Sequence, residues 1–162
     1  MNAYTGNQNF AEYFSYLNMK DPSNRFNACN SEKLQNFLVN FPNLRLPSAY
    51  VEFMRYAGSG NFWIGSDCSF DDVPKLREWA DELLEENSFP CKLKEDDFVF
   101  WMHQGYMFYF FNLSEGDDPP VYYYSEAAEI SSFVKCSDSF TQFIIMQDGL
   151  YCHDSEKHWL SH

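Results

Sequence analysis

Four histidines (His103, His153, His158 and His162) and five cysteines (Cys29, Cys68, Cys91, Cys136 and Cys152) are the residues best suited to nucleophilic, acid–base or metal chemistry. Cys152-His153 with His158 makes a Cys-His-x4-His spacing that is loosely metal-like. A structural zinc site brings a second paired ligand set, and Cys136 alone does not supply one, so we expect neither metal nor cofactor. The cysteines are odd in number, scattered, and without a C-x-x-C pair, a pattern of reduced thiols rather than of a disulfide framework. Asp71-Asp72, Asp96-Asp97 and Asp117-Asp118 pair carboxylates that could do general acid–base work. No histidine or lysine pattern stands beside them, so capping is their expected role. G-x-S-x-G, P-loop and G-x-G-x-x-G motifs are absent, and the nearest match, Gly58-x-Gly60, leads into an expected strand rather than a helix. With His103 expected on a solvent-exposed hairpin loop, no catalytic constellation emerges. A binding protein is expected, not an enzyme.

The 162 residues carry 11 Lys plus Arg against 24 Asp plus Glu, a formal charge of −13, and 17 Phe, 4 Trp and 11 Tyr. That length suits one domain with a sizeable core and no staple. An acidic but aromatic-rich chain is not a disordered one. Its sign disfavours direct binding of nucleic acid or of an anionic membrane and favours a basic protein partner. No run reaches the ~20 apolar residues of a membrane helix, and MNAYTGNQNF lacks a basic segment leading into an apolar one, so a cytoplasmic protein is expected. The charge is concentrated. Residues 66–97 hold 4 basic and 11 acidic side chains, 98–113 none of either apart from His103, and 114–129 hold 5 acidic and none basic. Two acidic blocks thus flank an uncharged aromatic segment.

The elements that must position these residues follow from spacing. Phe10, Tyr13, Phe14 and Leu17 make a helical face ending near Asp21-Pro22. Ser31 opens a second helix through Leu34, Phe37, Leu38 and Phe41, and Leu46-Pro47-Ser48 a third through Tyr50, Phe53, Met54 and Ala57. Gly58 stands where a left-handed C-cap belongs, and Asn61 to Ile64 reads as a strand. Asp71-Asp72-Val73-Pro74 opens an acidic helix whose buried face is Leu76, Trp79, Ala80, Leu83 and Leu84. Phe98–Met102 and Tyr106–Phe111 read as a hairpin about His103-Gln104-Gly105, with both faces covered or one face meeting a partner. Val121–Tyr124 is a third strand, Ile130 to Val134 a short fourth element, and Ser137-Asp138-Ser139 caps a helix through Phe140, Phe143 and Ile144 that Gly149 stops. The expected class is α+β, a single domain with a mainly antiparallel sheet and several helices packed against it.

Leu46-Pro47-Ser48-Ala49-Tyr50-Val51-Glu52-Phe53-Met54, followed by Ala57-Gly58-Ser59-Gly60, resembles the L-P-x-x-Y-x-x-F segment and glycine-rich turn of the SUKH superfamily. Pro119-Pro120-Val121-Tyr122 leading into Ser139-Phe140-Thr141-Gln142-Phe143-Ile144 is similar to the second half of that superfamily, a P-V-Y strand before an S-F-x-x-F helix. The family-like core spans about residues 31–145 of a domain over 1–162, after an N-terminal helix and loop (1–30) and before a polar tail (150–162). Gly58-Ser59-Gly60 replaces the common Asn-Gly-Gly, and the acidic helix at 71–87 is longer than that superfamily leads one to expect.

The superfamily includes yeast cell-wall-assembly regulators and bacterial immunity proteins. The resemblance therefore implies an immunity protein that neutralises a toxin domain, commonly a basic nuclease, in the cytosol. A regulatory or scaffold domain with a cellular partner, for example in cell-wall synthesis, is the alternative. The candidate partner-binding residues are Asp81, Glu82, Glu85 and Glu86, Asp117 and Asp118, and a patch of tyrosines expected to be partly exposed, Tyr106, Tyr109, and Tyr122 to Tyr124. Leu46, Pro47, Tyr50, Phe53, Gly58, Gly60, Pro120, Val121, Ser139, Phe140 and Phe143 are the structural motif positions.

Overall fold

The computed structural model describes residues 9–20, 31–59 and 66–151. Five helices and five strands follow in the order α1 (Phe10–Lys20), α2 (Ser31–Leu38), α3 (Ser48–Ala57), β1 (Ser66–Asp67), α4 (Val73–Glu86), β2 (Asp97–His103), β3 (Met107–Asn112), β4 (Val121–Ser125), β5 (Val134–Ser137) and α5 (Phe140–Tyr151). The strands form one meander, β1-β2-β3-β4-β5, with every neighbouring pair antiparallel. The α+β class with a mainly antiparallel sheet is therefore as the sequence implied. The strand expected over Asn61–Ile64, Gly60, and the tail with Cys152, His153, His158 and Trp159 lie outside the described residues.

Two details of the sheet depart from the expected layout. The fourth element was expected at Ile130 to Val134, but the strand begins where that stretch ends, and Phe133 turns inward before it. α5 continues through Gly149 to Tyr151. The hairpin turn is also displaced by one residue. Gln104 and Gly105 adopt positive φ of 48° and 76°, so His103 closes β2 and is 1% exposed, not solvent-facing.

The run of aromatic residues implies cover on both faces of the sheet or a partner on one, and both faces are covered within the chain. Register slips between Val99 and Trp101, a bulge that places Phe100 and Trp101 on the same face despite their adjacency. On that face Tyr50 of α3 lies 5.3 Å from Phe98, 6.2 Å from Phe100, 5.3 Å from Phe111 and 5.6 Å from Phe140 of α5 (ring centroids). α1 packs behind α3, with Phe10 5.8 Å from Phe53 and Phe14 stacked on Tyr56 at 5.0 Å. On the opposite face Phe89 and Phe133 cover Phe108, Phe110 and Tyr124. α4 leads directly into Phe89 and lies over this second face. It is tied near the start of β2 by Arg77 and just beyond β4 by Asn87, which donates to Glu126 at 3.2 Å. Such ring pairs contribute about 0.5–1.5 kcal/mol each beyond the area they bury. Apolar side chains from all five helices and the sheet join one core.

The family-like motif positions are mostly core and cap. Leu46, Tyr50, Phe53, Val121, Phe140 and Phe143 are buried, and Pro47 is the N-cap residue of α3. The Ser139 hydroxyl accepts from the Gln142 amide at 3.1 Å, as a cap should. Pro120 stands immediately before β4, where a missing amide breaks no ladder bond. Gly58 has φ −65° and ψ −15°, so it is not the expected left-handed cap. A Cβ there would stand 2.3 Å from Cζ of Phe70, so the glycine is required by a ring rather than by a turn.

Candidate functional site

Several of the carboxylates bear a structural load, and the hydrogen bonds separate these from the rest. Asp96 and Asp97 each accept from the Asn112 amide at 2.9 Å, and Asp97 also accepts from the Lys94 backbone N–H at 2.8 Å, closing the 94–97 turn. Asp72 accepts from the Ser69 hydroxyl at 2.7 Å, while its own N–H donates to that hydroxyl at 3.3 Å, a reciprocal lock at the entry to α4. Glu115 accepts from the Tyr122 hydroxyl at 3.1 Å. Asp138 is held below the usual carboxylate range by the Lys135 ammonium 2.8 Å away, which it raises in return.

Asp117 and Asp118 also belong to this structural group. The Asp118 carboxylate accepts from the Thr141 N–H at 2.8 Å, joining Ser139 in capping α5. Asp117 offers its backbone carbonyl to the Ala49 N–H at 3.0 Å at the start of α3, and its carboxylate lies 3.8 Å from Arg45. The acidic loop before β4 thus clamps two helix N-termini, where negative charge is favourable.

α4 is arranged differently. Its buried side is Val73, Leu76, Ala80, Leu83 and Leu84. Arg77 faces the sheet margin, donating to the carbonyls of Lys94 and Asp97 at 2.9 Å and of Leu93 at 3.3 Å, and to Asp81 at 2.9 Å. Asp81 is therefore paired, but Glu78, Glu82, Glu85 and Glu86 are exposed and have no hydrogen bond or ion pair among the described residues. The last turn of α4 carries no basic residue, so Glu85 and Glu86 oppose the helix dipole unrelieved. Trp79, expected within the buried face, is instead 38% exposed at the border of this acidic surface. Its position in the apolar stripe is the outermost, a distinction that spacing alone does not make.

The tyrosines do not form one patch. Tyr109 and Tyr123 share the α5 face, Tyr109 stacking on Trp101 at 4.5 Å and lying 5.0 Å from Phe143. Tyr122 and Tyr124 occupy the opposite face. Tyr124 is 3% exposed, so its expected surface role is corrected: Phe89 covers it at 4.7 Å. Tyr106 is half-buried against His103. Burial and then the Glu115 carboxylate raise the Tyr122 hydroxyl above its ordinary value, and burial followed by Glu126 raises Tyr124.

Among the described residues no group of three or more His, Cys, Asp or Glu side chains is placed to hold a metal ion, and no helix is long and apolar enough to cross a membrane. A cleft of about 390 Å³ opens beside α2, lined by Lys33, Asn36, Asn40, Ser69 and Asp71. It adjoins the Gly58–Phe70 contact rather than lying between sheet and helices. Burial pushes the Cys136 thiol up to about 12, away from nucleophilic use.

The SMI1 / KNR4 family (SUKH-1) matches residues 28–146 of the chain. No curated protein and no solved structure matches it.

Proposed function

Because the chain belongs to the SMI1 / KNR4 family (SUKH-1), we propose that it is an immunity protein that binds a cognate toxin domain with a basic surface and blocks it. The observation that carries this reading is the unpaired acidity of α4. Glu78, Glu82, Glu85 and Glu86 face solvent together while most other acidic pairs brace turns and helix ends. Four carboxylates on one helix face repel each other and, at the C-terminal turn, the helix dipole as well. A cationic partner converts both repulsions into attraction. Nucleases handle polyanions with basic surfaces, and a chain of charge −13 would be steered to such a surface, raising the association rate at low salt. The motif residues hold core and caps, so partner choice is left to exposed side chains.

The test is co-expression with the C-terminal domain of a toxin encoded immediately upstream. Restored growth and co-purification at moderate salt are the expected results, with association slowing as salt rises. Charge reversal of Glu82, Glu85 and Glu86 should weaken binding and flatten its salt dependence. If the two proteins neither co-purify nor restore growth, the immunity assignment for that pair fails.

A further inference from the structure

No other aromatic side chain among the described residues is as exposed as Trp79. Burying an indole ordinarily stabilises a protein, and this one stands instead among carboxylates. Glu82 and Glu86 follow Trp79 by three and seven positions, so at 3.6 residues per turn the three share one outward stripe of α4. Glu78 and Glu85 border that stripe, and Lys75, one turn before Trp79, is its one cation, so the negative charge gathers beside and beyond the indole. Arg77, the other cation of α4, is engaged by three carbonyls and Asp81 and does not neutralise the stripe.

An aromatic face beside unpaired carboxylates suits one kind of side chain best. A guanidinium is planar, stacks on an indole, and forks to a carboxylate in the same pose. An ammonium can pair with the glutamate but gains less from the ring plane. We infer that Trp79, Glu82 and Glu86 form the receptor for an arginine side chain carried by the protein partner. This assignment rests on the basic-partner reading above and adds to it the surface used and the residue seated there. The arginine lies over the indole on its C-terminal side, paired with Glu82, with Glu86 one turn further on. Its charge also relieves the unfavourable C-terminal turn of α4.

The experiment titrates the ¹⁵N-labelled full chain at low salt with hexa-arginine, hexa-lysine and hexa-citrulline amides. Citrulline keeps the shape of arginine without its charge. Hexa-arginine should shift the Trp79 indole resonance, assigned with Trp79→Phe, and the backbone amides of 78–86. Hexa-lysine should bind more weakly, and hexa-citrulline should not bind. Trp79→Ala, a surface substitution, should weaken hexa-arginine by about two- to five-fold, Trp79→Phe by less, and the pair Glu82→Gln and Glu86→Gln by more. Binding that leaves the Trp79 resonance unmoved, centres on 114–118, or is unchanged in Trp79→Ala overturns the receptor while leaving a basic partner in place. No binding of hexa-arginine anywhere on the chain at low salt overturns both.

Discussion

Replacing Gly58 by alanine sets two effects of opposite sign against each other. The residue lies at φ −65°, ψ −15° at the C-terminal end of α3, a conformation that any L residue adopts. On backbone grounds alone, alanine would stabilise by about 0.4–1 kcal/mol, by restricting the unfolded chain. The added methyl, however, would stand 2.3 Å from Cζ and 2.5 Å from both Cε atoms of Phe70. To reach ordinary carbon–carbon contact the ring would have to retreat by more than about 1 Å. Retreat is restricted on two sides. The Phe70 N–H donates to the Gly58 carbonyl at 2.8 Å, fixing the backbone of Phe70, and its ring lies 5.2 Å from that of Phe37. Overpacking of this kind costs about 1–3 kcal/mol. The steric effect therefore wins, with a net loss of about 1–2 kcal/mol and a Tm lower by roughly 3–6 °C for a domain of this size. Urea unfolding followed by circular dichroism, with an unchanged m-value, measures it. In a Phe70→Ala background the same substitution should reverse sign and stabilise by about 0.4–1 kcal/mol. An alanine variant as stable as the parent, or more stable, would refute the contact as the reason for the glycine.

Three further outcomes follow from buried or bridging groups. Among the described residues the buried Tyr50 hydroxyl has no hydrogen-bond partner, so Tyr50→Phe should raise stability by about 1 kcal/mol in urea unfolding, and a loss would show that the hydroxyl has a partner. Asp118→Ala should destabilise by about 1 kcal/mol through loss of the α5 cap, whereas Asp117→Asn should change stability little because its backbone carbonyl holds α3; equal effects would contradict the hydrogen bonds. For Cys136, whose folded value is raised from 9.0 to about 12, the folded state keeps its proton longer than the unfolded state. Its contribution is complete below pH about 9 and is lost as pH rises toward 12. The thiol should resist iodoacetamide at pH 8.5 until urea is added, and Cys136→Ala should flatten the decline in stability above pH 9.

How much could be read from the sequence depended on whether a signal was local. Helix faces such as Tyr50, Phe53, Met54 and Ala57 were legible because a period of 3.6 residues is written in the chain itself. The aromatic hairpin was legible from two aromatic runs split by a short glycine-containing loop, but three consequences of its tertiary setting were not. The bulge at Phe100 changes which residues share a face, the one-residue shift of the turn buries His103, and Phe89 arrives from the end of α4 to cover Tyr124. None of these leaves a mark on residue spacing. The constraint at Gly58 is visible in the sequence but its cause is not, since a glycine does not reveal whether backbone conformation or a distant ring requires it. Trp79 differs: spacing assigns it to the buried stripe of α4, and only the packed helix shows it at the edge.

The acidic loop before β4 and the exposed acidic face of α4 have opposite physical roles. In the block before β4, negative charge meets the positive ends of α3 and α5, so each of Asp117 and Asp118 has a local electrostatic reason to be there. In α4 the acids sit around and beyond the middle of the helix, and at its final turn they meet a dipole end of their own sign with no lysine, arginine or histidine to offset it. Exchanging a glutamate for lysine in the last turn would relieve that repulsion at little cost. An outside cation would relieve it too, so the same repulsion that weakens the free helix strengthens the bound one. On this basis the acidity of the loop and that of the helix should separate by experiment. Neutralising the loop should lower stability, whereas neutralising Glu82, Glu85 and Glu86 should leave stability unchanged or raise it while weakening a basic partner.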